Sequence, residues 1–160
     1  MLFRSYSNES IDLIGHPSIF LAGPTLRISN NAAEQIDSDR QYRWRLDAID
    51  YLQKLNFNGT VLIPERSNGF AKFDYLDQTE WEYFGLNNCS KIVFWIPRSD
   101  ILPGFTTNVE FGYWLAKRPD SIVYGRPQRA PKTQYLDWLW SKHRQSLPLD
   151  NLEEVMKNSI

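Results

Sequence analysis

Residues 91–115, KIVFWIPRSDILPGFTTNVEFGYWL, decide how this chain is read. Ile92–Ile96 is an apolar run of β-branched and aromatic residues closed by Pro97. Such a run predicts a strand buried on both faces. A Pro/Gly-containing loop over 97–105 follows, and Thr-Thr-Asn-Val-Glu then predicts a helix start. Glu110 thereby falls in the first turn of a helix just beyond the C-terminal end of a strand. Ligands of open α/β sheets bind along that edge. A helix N-terminus also favours the ionised carboxylate, the form a nucleophile needs. The same four residues, Thr107 to Glu110, equally fit a capping box, in which Glu110 would bond back to the backbone of Thr107.

Working outward, Ser18–Ala22 predicts a strand ending at Gly23-Pro24-Thr25, and Thr60–Ile63 a strand stopped by Pro64-Glu65. Ser121–Tyr124 predicts a strand ending at Gly125-Arg126-Pro127. Helices are expected over Arg40–Leu55, within Asp74–Asn88, from Thr107 to Lys117, and near the C-terminus over Thr133–His143 and Leu149–Asn158. In the first of these, Trp44, Ala48, Tyr51, Leu52 and Leu55 recur at helical spacing. Residues 26–39 and 66–73 read as polar loops. Residues 1–16 form an N-terminal extension, either an added edge strand or an ordered arm. Strands alternating with helices imply a single α/β domain over 1–160. The expected architecture is a flavodoxin-like or Rossmann-like three-layer sandwich with a mostly parallel sheet of four to five strands. The strands end in GPT, PER, PRSD and GRP, a C-terminal edge furnished as a binding cleft. Neither GxGxxG nor GxxxxGK[ST] occurs, so no dinucleotide or P-loop site is supported.

Composition narrows the function further. The chain has 160 residues, a formal net charge of −1, and hydrophobic and charged fractions of 42% and 23%. That balance carries no electrostatic footprint for a nucleic-acid polymer. No apolar run is long enough to span a bilayer, and residues 1–17 lack the apolar core of a secretory signal. The single cysteine, Cys89, excludes an internal disulfide, and only His16 and His143 supply imidazole, so no metal site is expected. A cytoplasmic location is expected. Aromatics are plentiful, with 6 Trp, 8 Tyr and 9 Phe. Together with YLDWLW at Tyr135–Trp140, they suggest more apolar surface than one small domain buries, and hence a homo-oligomer.

An ordered set of motifs carries a resemblance: IFLAGPT (19–25), YRWRLDAIDYL (42–52), VLIPE (61–65), DQTEWE (77–82), IVFWIPR (92–98), TNVEFG (107–112) and VYGRP (123–127). Together they resemble the nucleoside 2-deoxyribosyltransferase-like family, including its deoxynucleoside 5′-monophosphate N-glycosidase branch. The resemblance implies a flavodoxin-like fold, a small-molecule nucleoside or nucleotide substrate, and no cofactor. It also implies cleavage or exchange of an N-glycosidic bond, with a glutamate nucleophile matching Glu110 and a second acid matching Glu82. Family members assemble as dimers or larger oligomers. The chemistry wants two acids: one meets the oxocarbenium-like anomeric carbon, and the other handles the proton of the departing base.

Around that pair, Gly23, Pro24 and Thr25 are candidate substrate contacts. Arg27 and Arg45 are candidates for a 5′-phosphate, although a mid-helix Arg45 would more commonly pair with Asp47, Asp50 or another acid at the surface. Asp77 is a substrate candidate that also fits the N-cap of its helix, with Glu80 as capping partner. Trp95 is a candidate base contact, and Thr107 and Asn108 are candidate sugar contacts. Two positions depart from the family pattern. Phe20 stands where several members have tyrosine, and Gly104 where some have an acid or serine six residues before the nucleophile. Two rival functions share such a scaffold: a non-catalytic nucleotide-sensing module and a flavodoxin-like electron carrier. GPTLRISNN is a poor flavin-phosphate loop, which weighs against the second.

Overall fold

A computed structural model describes residues 1–7, 9–13, 15–25, 43–65 and 75–160. Among them run strands β1 (Leu2–Tyr6), β2 (Ser18–Ala22), β3 (Gly59–Ile63), β4 (Lys91–Trp95) and β5 (Ile122–Gly125). The helices are α1 (Trp44–Lys54), α2 (Tyr75–Asn88), α3 (Phe105–Lys117), α4 (Gln134–Arg144) and α5 (Leu152–Lys157). The strands form one sheet in the order β1-β3-β2-β4-β5, and every pairing is parallel. This is a flavodoxin-like α/β fold. Its β3-β2-β4-β5 part follows the doubly wound order, and the N-terminal extension supplies the edge strand beside β3.

Both faces of the sheet are covered, which explains the unbroken apolar runs. Residues of β2 and β3 are buried throughout, as are those of β5. By contrast β1, at the edge, has only Ser5 buried. On one face Ile19, Leu21, Val61, Ile63, Val93 and Trp95 pack under α1 and α5 through Trp44, Ile49, Leu52, Val155 and Met156. On the other face Phe20, Ala22, Leu62, Ile92, Phe94 and Tyr124 meet Leu86 of α2, Phe111, Trp114 and Leu115 of α3, and Leu136 and Trp140 of α4. Fully burying one such side chain contributes about 1.5–3 kcal/mol. Between β2 and β4 the crossovers change sides, α1 leaving on one face and α2 and α3 returning on the other. The topological switch point therefore lies at the C-terminal ends of β2 and β4, where ligands of such sheets bind.

Three local expectations are corrected. Helix α3 begins at Phe105, not Thr107, because Gly104 takes the left-handed conformation (φ 63°) and serves as N-cap without a side-chain bond. Glu110 is thus the sixth helical residue, in the second turn, and the capping-box geometry with Thr107 does not arise. Helix α2 begins at Tyr75, which puts Asp77 inside its first turn rather than at the N-cap. The expected loops over 26–39 and 66–73 lie outside the described residues, as do the first residues of the helix expected from Arg40.

Candidate active site

Near this C-terminal edge, residues from the exits of β2 and β3, from α2 and from α3 interact. Their organiser is Arg45, the second residue of α1 and only 3% exposed. Nε donates to the Leu21 carbonyl at 3.0 Å and Nη2 to the Gly23 carbonyl at 2.8 Å. Nη1 donates to Thr25 Oγ1 at 3.1 Å and to Glu65 Oε1 at 2.6 Å. The planar fork suits this task, since it satisfies carbonyls of one strand exit while pairing with a carboxylate at the next. Arg45 thus pairs with another acid, as one reading of the sequence allowed, but from a buried position, and its guanidinium ties β2 to β3. Trp44 supports it, donating its indole N–H to the Pro24 carbonyl at 3.2 Å while its ring lies 4.5 Å from the Arg45 guanidinium.

Two carboxylates face this cation. Glu110 projects from the second turn of α3, where burial and then the charge of Glu82 push its pKa up to about 8, against a smaller pull from Arg45. Glu82 comes from the middle of α2. Burial raises its pKa too, offset by a hydrogen bond from Gln78 and by the charge of Arg45. The expectation that the helix N-terminus keeps Glu110 ionised is thus reversed. Desolvation and a like charge outweigh a dipole that fades within the first turn. Glu82 is likewise not a solvated surface acid, whereas Glu80 on the same helix is exposed. Because the charge of Glu82 raises Glu110, the titrations of the two groups are linked.

The remaining candidates scatter. Gly23 meets protein rather than an incoming ligand: a Cβ there would stand 2.2 Å from the Trp95 carbonyl oxygen and 2.8 Å from the Trp44 ring. Trp95 is 6% exposed and packs in the core on the α1/α5 side of the sheet, away from the face that carries Glu110. Thr107 is 4% exposed, inside the first turn of α3. Pro24 is buried, and the Cβ of a residue replacing Gly104 would lie 3.3 Å from it, so the β2 exit and the start of α3 are in close contact. Thr25 is exposed and accepts from Arg45. Asn108 is half-buried and accepts through Oδ1 from Arg98, whose Nη1 donates to the Lys132 carbonyl at 2.5 Å. Asp77 is exposed. Arg27 lies outside the described residues.

The sequence reading missed the engaged roles of Arg45, Glu65 and Gln78. A signal existed for the last: Gln78 and Glu82 are four residues apart, neighbours on one helix face. Cys89, expected to be a buried spectator, is 1% exposed and burial raises its pKa to about 11, well away from reactive thiolate chemistry. Among the described residues no cluster of three or more His, Cys, Asp or Glu is placed to hold a metal ion. None of their helices is long and apolar enough to cross a membrane.

A comparison with models of protein families matches residues 16–128 to the family described as nucleoside 2-deoxyribosyltransferase like. No curated protein matches the chain.

Proposed function

Since the chain belongs to the nucleoside 2-deoxyribosyltransferase-like family, we propose that it cleaves or exchanges the N-glycosidic bond of deoxynucleosides or their 5′-monophosphates, with Glu110 as nucleophile and Glu82 as acid–base partner. The observation that carries this reading is the half-buried pair Glu110 and Glu82 near Arg45, in which the charge of Glu82 raises the Glu110 pKa. Departure of the base leaves positive charge on C1′ and negative charge on the base nitrogen. One group must then be an anion while another supplies a proton, and a carboxyl pair holding a single proton has both forms at once.

Before substrate binds, the proton rests mainly on Glu110. Positive charge developing at C1′ favours the Glu110 carboxylate, so the proton passes through Glu82 to the base nitrogen. A Glu110 oxygen bonds to C1′ as the C1′–N bond breaks, and the neutral base leaves. Water or a second base then attacks C1′, gives its proton to Glu82, and frees the Glu110 carboxylate. Thr25 and Asn108 are the proposed substrate contacts at the rim, and Pro24 shapes it. The choice between hydrolase and transferase depends on access of water to the glycosyl ester.

Incubation with a panel of deoxynucleosides and monophosphates, with and without acceptor base, tests the reaction by chromatography. The expected kcat/KM profile is bell-shaped. It falls above about pH 8 as the pair loses its one proton, and falls on the acid side, above the ordinary carboxylate range, as Glu82 takes a second. A 2-fluoro-2-deoxy-arabinosyl nucleoside should leave a sugar ester that peptide mapping places on Glu110. Tight binding without adduct or released base would instead support a nucleotide-sensing module.

Assembly belongs to the same reading. Tyr83 and Phe84 of α2, Val109 and Tyr113 of α3, and Tyr135 and Trp138 of α4 are all about half exposed or more. We expect a homo-oligomer covering part of this surface. Light scattering at micromolar concentration should give at least twice the chain mass, and a monomer would overturn the expectation. The free, buried Cys89 fits a reducing compartment such as the cytoplasm.

A further inference from the structure

Gln78 precedes Glu82 by one helical turn on α2, so the two side chains lie along one helix face. Its amide Nε2 donates to Glu82 Oε1 at 2.5 Å and also reaches the Pro64 carbonyl, just past β3, at 3.4 Å. A backbone carbonyl only accepts hydrogen bonds. The Pro64 carbonyl therefore turns the NH2 end of the amide, not its oxygen, toward this corner. The second N–H of that nitrogen then meets a Glu82 oxygen that accepts. Such a bond favours the charged form of the acceptor.

We propose that Gln78 is a positioning residue of the acid pair: bridging the end of β3 to Glu82, it holds Glu82 as the accepting carboxylate and so directs the pair's proton to Glu110 before substrate arrives. The role rests on the acid-pair chemistry proposed above. The neighbours that hold Glu82 down agree in direction. Gln78 from its own helix and Arg45 from α1 favour its ionised form, and the resulting charge raises Glu110 on α3. Glu65 is held by the Arg45 guanidinium at 2.6 Å. Without the Gln78 bridge, Glu82 keeps only Arg45 to hold it ionised, and the two acids compete for the proton on nearly equal terms.

Carbon NMR titration of the glutamate carboxyls tests this, with Glu82→Gln and Glu110→Gln spectra assigning the signals. In Gln78→Met, which keeps length and loses both donors, the Glu82 inflection should rise by about one to two pH units, the worth of one charge-assisted hydrogen bond. Gln78→Glu, a polar replacement should the Met variant not fold, should raise it at least as far. The acid limb of the kcat/KM profile should move with it while KM changes little. A Glu82 inflection within about 0.3 pH unit of the parent in a folded variant overturns the role. The titration needs no turnover. A shifted inflection with no glycosidic cleavage by the parent would keep the Gln78 bridge and sink the reaction, and the reverse pattern would sink the bridge alone.

Discussion

Glu110→Gln should cost at least ~10³-fold in rate and yet make the protein more stable. The rate loss follows from removing the charge that makes the oxygen a nucleophile toward C1′, and single nucleophile knockouts fall in this range or beyond. The stability gain follows from linkage. Burial and Glu82 raise the Glu110 pKa from 4.5 to about 8, so the folded state binds more protons than the unfolded chain between those values. Stability tied to this group is complete below about pH 4.5 and is lost as pH rises through 8. A neutral amide of the same shape escapes the loss. The gain over the parent should be small at pH 5 and reach on the order of a few kcal/mol by pH 9, since each tenfold change in proton affinity is worth about 1.4 kcal/mol. Chemical denaturation across that range checks it. A variant that is less stable than the parent at pH 9 would show Glu110 to be a structural residue, and an active one would end its assignment as nucleophile.

Arg45→Met should produce the largest loss of stability. It strips the Leu21 and Gly23 carbonyls of their partner at the β2 exit and releases Glu65 and Thr25. A buried polar atom left unsatisfied costs about 1–3 kcal/mol, so the total should reach about 2–5 kcal/mol. Both limbs of the pH profile should also climb, since Arg45 holds down the pKa of Glu82 and of Glu110. Arg45→Lys separates the two effects. Its charge should return the pH profile toward the parent, but a single ammonium cannot serve four acceptors on two strand exits, so stability stays low. Urea midpoints and pH-rate profiles of the two variants decide it. A Met variant within about 0.5 kcal/mol of the parent would remove Arg45 as organiser of the strand exits.

What the sequence carried well was periodic. The runs SIFLA, TVLI and IVFWI are continuous because their strands are covered on both faces, and the three strands lie within a residue of their expected bounds. The placement of Glu82 and Glu110 on the helices before and after β4 was also legible, but the face each helix takes depends on strand order, and the consecutive helices α1 and α2 lie on opposite faces. The ionisation of Glu110 was not legible. A helix start is a local signal, whereas desolvation and the charge of Glu82 come from an element 28 positions earlier in the chain. Arg45 misled for the same reason: its partners Leu21, Gly23, Thr25 and Glu65 are 20 to 24 residues away in sequence. Trp95 and Gly23 sit where a ligand contact was expected, but the pleat sends Trp95 to the α1/α5 face, and its carbonyl fills the space that Gly23 leaves. No local rule distinguishes backbone approach to a ligand from backbone approach to a neighbouring strand.

The edge strand has a consequence in time. Each residue of β1 pairs with one 57 positions later, from Leu2 with Gly59 to Tyr6 with Ile63. On a ribosome adding about 5–20 residues per second, that interval lasts roughly 3–11 s. Throughout it β1 has emerged with no native partner, and Phe3 remains 46% exposed even after docking. The β2–β3 pairing spans 42 positions, from Ser18 to Thr60, but the β2–β4 pairing spans 72, from Ile19 to Lys91, so β4 reaches the sheet only after β1 has its partner. Newly made chains should thus pass through a stage in which β1 is free to pair with strands of other chains, before β3 and then the acid pair's scaffold are made.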